Sequence, residues 1–79
     1  MDKGLLWYDD DTGRDLAERV ARAERHYQQK YGRRPNVCYV HPAVVGGKPL
    51  RVGAVQVSPL SSVLVHHFWI GEEERERRR

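Results

Sequence analysis

The chain has one cysteine, one methionine and one phenylalanine, and it has no apolar run long enough to cross a bilayer. A single cysteine, Cys38, excludes a disulfide within the chain. Its 79 residues leave room for one domain. A chain this short buries only roughly 60% of the surface that its unfolded form exposes. Without disulfides, a domain of this size draws on a metal, a partner subunit or an unusually good core. The longest uncharged stretch, Val52 to Gly71, is broken by Gly53, Gln56, Pro59, serines and the pair His66-His67, so no membrane span is expected. The apolar run Leu5-Leu6-Trp7-Tyr8 is too short for a secretory signal and meets three aspartates at once. With a free cysteine, these absences lead to the expectation of a cytoplasmic protein.

Charge is the next scarcity. Residues 35–71 carry only two formal charges, Lys48 and Arg51, whereas the other 23 of the 25 Asp, Glu, Lys and Arg residues fall in the first 34 positions or the last eight. The net charge of +3 is therefore the sum of a charged first part, a nearly neutral second part and a charged tail.

What is present reads as α+β. Gly4 to Tyr8 suits a short strand closed by Asp9-Asp10-Asp11. Thr12 with Asp15 three residues on approximates a capping box. Leu16, Val20, Ala23, Tyr27 and Tyr31 then make one apolar helical stripe that stops at Gly32, which predicts a helix over 13–31. Asn36 to His41 reads as a strand ended by Pro42, followed by a Gly46-Gly47 turn in preference to a helical turn at Pro42-Val45. Leu50–Val57 and Val63–Ile70 read as two more strands, most simply an antiparallel pair around Ser58-Pro59. The expected order is β-α-β-β-β, with one long helix on one face of a mixed four-stranded sheet. The single domain would span 1–71, with 72–79 a charged, disordered tail.

The neutral half carries the strongest functional signal. A strand with one wet face alternates apolar and polar residues. In Val63–Ile70, one set of alternate positions holds Val63, Val65, His67 and Trp69, and the other holds Leu64, His66, Phe68 and Ile70. Both sets are largely apolar. One helix covers one face, so the other needs a partner, and the simplest is a second copy in a two-fold dimer. Tyr39, Val63, Val65 and Trp69 are the candidate interface residues. The expected protein is a small non-catalytic module that self-associates through this face and acts by binding.

The alternative is a nucleic-acid-binding module using Arg22, Arg25, Arg33 and Arg34, because the segment from Arg14 to Arg34 has seven basic and three acidic residues. Against it, Asp15–Arg19 and Glu18–Arg22 have the i,i+4 spacing of helix-stabilising pairs, and Lys30, Arg33 and Arg34 suit the negative end of the helix dipole. Cys38, His41, His66 and His67 are the candidate metal ligands. Residues three apart or adjacent on a strand point to opposite faces, so neither Cys38/His41 nor His66/His67 converges readily on one ion. Cys38 with His66 or His67 would make a nucleophile–base pair only if their strands were neighbours. No phosphate loop, dinucleotide fingerprint or zinc-protease motif occurs. Neither an enzyme nor a cofactor is expected. The strings Tyr31-Gly32-Arg33-Arg34-Pro35-Asn36-Val37-Cys38-Tyr39-Val40-His41-Pro42 and His67-Phe68-Trp69-Ile70-Gly71 resemble those of short uncharacterised bacterial proteins, a group that brings no activity, ligand or catalytic residue with it.

Overall fold

In a computed structural model, residues 3–11 and 13–73 are described. The elements are β1 (Lys3–Tyr8), α1 (Leu16–Tyr31), β2 (Val37–Val40), α2 (Pro42–Val45), β3 (Leu50–Val52), β4 (Val55–Pro59) and β5 (His67–Glu72). The fold is α+β, with α1 packed against one mixed sheet of five strands in the order β1-β5-β2-β4-β3.

Helix α1 follows from its local chemistry. Its N-cap is Asp15, whose carboxylate accepts from the Glu18 N–H at 3.0 Å. Aspartate caps the first orphan amides as well as Thr does, and Glu18 adds favourable charge in the first turn. The helix accordingly starts at Leu16, later than the 13–31 expectation, and Thr12 lies outside the described residues. Gly32 ends it in the left-handed region (φ 70°), donating to the Gln28 carbonyl at 2.7 Å. Val20, Ala23 and Tyr27 are the fully buried part of the stripe, with Leu16 and Tyr31 at its margins.

Three connections differ from expectation. Pro42–Val45 does form a helical turn, because His41 Nδ1 accepts from the Ala43 N–H (3.0 Å) and Gly46 (φ 64°) closes the turn in the left-handed region. Leu50–Val57 is not one strand. It turns back at Gly53-Ala54 into the β3–β4 hairpin, which supplies the fifth strand. The last strand starts at His67, not Val63, and does not pair with β4. It lies between β1 and β2, antiparallel to both, with Leu5 and Cys38 each opposite Ile70. Strands β1 and β2 are thereby parallel, as expected of strands joined through a helix, with β5 inserted between them. β2 also pairs in parallel with β4.

The registers sort every strand onto two faces. Leu5, Trp7, Cys38, Val40, Val52, Val55, Val57, Phe68 and Ile70 share the face that meets α1, and they form one core with the helix stripe. Leu6, Tyr8, Val37, Tyr39, Arg51, Gln56, Ser58, His67 and Trp69 share the opposite, open face.

The carboxyl end of β5 is held from both sides. On the helix side, Glu72 accepts from the Tyr27 hydroxyl (2.6 Å) and from Arg33 (2.7 Å). On the open side, the Tyr39 hydroxyl donates to the Glu73 carboxylate (2.8 Å), while the Asn36 amide pairs with the Glu73 backbone through two bonds of 2.9 Å. Positions 74–79 of the charged tail lie outside the described residues.

Candidate interaction surface

The open face is divided. On β4 the alternation is the usual one, with Val55 and Val57 buried and Gln56 and Ser58 outward, and Arg51 lies beyond them on β3. On β1, β5 and β2 the residues on this side are Leu6, Tyr8, His67, Trp69, Tyr39 and Val37, the last of them buried. The apolar half is therefore built on three adjacent strands, and the polar half marks where the sheet is adapted to water.

Aromatic packing organises the apolar half. Tyr39 and Trp69 sit side by side with ring centroids 5.9 Å apart, and Tyr8 meets His67 edge-on at 5.1 Å. Gly4 permits the Trp69 position, since the indole lies where a side chain at residue 4 would stand. The loop between β4 and β5 then rises beside this surface. Its start is fixed by Leu60 N–H donating to the Val40 carbonyl (2.8 Å), and its end by His67 N–H donating to that of Leu64 (3.0 Å). Between these points it brings Leu60, Val63 and Leu64 against Leu6, His67 and Trp69, around a groove of about 330 Å³. Within it the His67 Nδ1 is buried and has no hydrogen-bond partner among the described residues.

Of the sequence-predicted interface residues, Tyr39 and Trp69 are in contact and half-buried on this face. Val63 is on the loop instead of a strand and is buried at the groove floor, and Val65 is exposed on the same loop. The residues that expose most apolar surface were not singled out: Leu6 (60% exposed), Tyr8 (58%) and Leu64 (68%). The signal for the first two was present, since Leu5-Leu6-Trp7-Tyr8 is apolar on both alternating sets. No local pattern announces Leu64, which is exposed because its loop climbs over the sheet.

The basic residues are largely engaged. Arg19 does not take its i,i+4 partner Asp15. It is buried (8% exposed) and donates to the Asp9 carbonyl at 2.7 Å, with its Nε 3.6 Å from the Asp9 carboxylate and its guanidinium 5.3 Å above the Phe68 ring. Arg22 also leaves its expected i,i+4 partner and lies 3.4 Å from Asp11. Asp11 takes Arg14 as well, at 2.8 Å, and that arginine holds its carboxyl below the usual carboxylate range. Arg33 is bound to Glu72, which leaves Arg25 and Arg34 of the four candidate nucleic-acid contacts exposed without an ion-pair partner among the described residues. Asp9 and Asp11 thus collect Arg14, Arg19 and Arg22, while Asp10 accepts from the Tyr8 hydroxyl at 3.1 Å.

The candidate metal ligands are dispersed. Cys38 faces the helix and His67 faces the opposite side of the sheet; His41 caps α2, and His66 is exposed in the loop. No group of three possible ligands converges among the described residues. Burial pushes the Cys38 thiol up to about 12, which makes it a poor nucleophile at neutral pH. No described helix is long and apolar enough to cross a membrane. No protein-family model, curated protein or solved structure matches the chain.

Proposed function

We propose that the protein is a small non-catalytic module that self-associates through the apolar half of its open sheet face and acts by binding. The observation that carries this reading is the continuity of Leu6, Leu60, Leu64 and Trp69 around one groove, with Tyr8 packed on its His67, on a face that no described helix covers. Contiguous apolar surface of this kind on a small soluble domain marks an interaction site, whereas scattered exposed side chains do not. Its makeup, aromatic and aliphatic at the centre with Gln56, Ser58 and Arg51 beside it, is that of an interface core with a polar rim. The free, buried Cys38 suits a reducing compartment such as the cytosol.

A dilution series followed by amide NMR tests the reading. Resonances of Leu6, Tyr8, Leu64 and the Trp69 indole are expected to shift together with concentration, while those of Arg25 and Gln29 on the outer helix surface stay fixed. Shifts confined to the helix surface, or none at millimolar protein, would overturn it.

A further inference from the structure

We infer that two copies join along the free edge of β1, antiparallel about a two-fold axis at Leu6, to make one continuous sheet of twice five strands. This rests on the self-association reading and goes beyond it, adding the strand edge beside the open face as a second contact.

The backbone pattern supplies the first argument. In an antiparallel pair, alternate residues turn their N–H and C=O toward the neighbouring strand and the rest turn them away. The bond from Asp9 N–H to the His66 carbonyl (2.8 Å) fixes the phase, so Leu5 and Trp7 bond to β5. Gly4, Leu6 and Tyr8 therefore direct their N–H and C=O groups to the outer edge, where no described residue bonds them. Only the register centred on Leu6 pairs these three with one another: Leu6 with Leu6 and Gly4 with Tyr8 at both ends.

The side chains agree with that register. Tyr8 of one copy arrives opposite Gly4 of the other, beside the indole of Trp69 that roofs the glycine. The two sheet edges also differ in how they are guarded. Strand β3 has three residues, follows Pro49, exposes Arg51 and has its Leu50 carbonyl approached by the Gln56 amide at 3.4 Å. Proline, charge and shortness are the usual protections of a free edge. Strand β1 has six residues, no proline and apolar outward side chains. Pairing through β1 leaves only the guarded β3 edges outside, so the assembly closes at two.

Amide hydrogen exchange on the full chain, with sedimentation at the same concentrations, tests this. In the dimer, Gly4, Leu6 and Tyr8 are expected to exchange at least tenfold more slowly than after dilution to monomer, with Leu5 and Trp7 slow in both. A dimer formed face to face does not produce this alternation. Leu6→Pro removes an outward N–H without touching the β1–β5 ladder and should give folded monomer. Should it fail to fold, Leu6→Lys keeps the backbone, sets like charges across the axis and should weaken association at least tenfold. A dimer with fast exchange at Gly4, Leu6 and Tyr8 would overturn the edge contact and leave self-association standing. A monomer at every concentration would overturn both, including one whose edge is protected only on adding an unrelated extended peptide.

Discussion

The two faces of the sheet are apolar over much of their area, yet they live in different surroundings. Against α1, Cys38, Val40, Val55, Val57, Phe68 and Ile70 are fully buried beneath Val20, Ala23 and Tyr27. On the other side, Leu6 and Tyr8 keep more than half of their surface in water, and Trp69 is incompletely covered. The same residue types on the same strands therefore contribute very differently to folding. Burial of apolar area, and not apolar content, is what stabilises the monomer. The open face is free to be selected for something else, and the edge next to it, β1, is the unguarded one.

This contrast can be tested at several strengths. The largest effect is expected on the helix face. Phe68→Ala removes the central buried ring and should cost about 3–5 kcal/mol in urea unfolding, which for a domain of this size approaches complete loss of the fold. A cost no larger than that of an exposed leucine would mean the core is misplaced. Next, Arg19→Met strips the buried Asp9 carboxylate of its cation and should destabilise by about 3 kcal/mol, measured in the same way. A neutral result would show that Arg19 is solvated in the native state.

Gly4→Ala probes the join between the faces. The added methyl meets the Trp69 ring, so the indole must move and the monomer should lose about 1–3 kcal/mol. A change in near-ultraviolet circular dichroism should accompany the loss. Alkaline titration gives a graded effect. The Cys38 thiol ionises near 9.0 when unfolded and at about 12 when buried. The folded state keeps its proton through that window, so this contribution is fully present below pH 9 and disappears as pH rises toward 12. The slope should be about 1.4 kcal/mol per pH unit. Cys38→Ala should flatten it below pH 10, the ordinary value of Tyr27, whose hydroxyl is raised by burial and by its bond to Glu72. The smallest effect belongs to the open side. Leu64→Ala should change the stability of the monomer by less than about 0.5 kcal/mol while weakening its association.

Local chemistry made much of this fold readable. The stripe from Leu16 to Tyr31 and the stop at Gly32 define α1 because capping and periodicity act within a few residues. The residues of β1 and β2 were legible for the same reason. Pairing order was not, since nothing within Val63–Ile70 tells that β5 will insert between β1 and β2. The β3–β4 hairpin was hidden because Leu50–Val57 is as apolar as one continuous strand, and its turn rests on Gly53 at φ 58°. Arg19 was misplaced because a charge beside an apolar stripe reads as solvated until a carboxylate from another element, here Asp9, comes to meet it. For the surface, Trp69 and Tyr39 were visible from their strands. Leu64 and the groove were not, because a loop's path depends on tertiary contacts such as Leu60 to Val40.

Sedimentation equilibrium on the untagged chain, from micromolar to millimolar protein, tests the central claim most directly. The mass should rise with concentration from that of one 9.2 kDa chain to that of two and stop there. A constant monomer mass across the whole range would contradict the account.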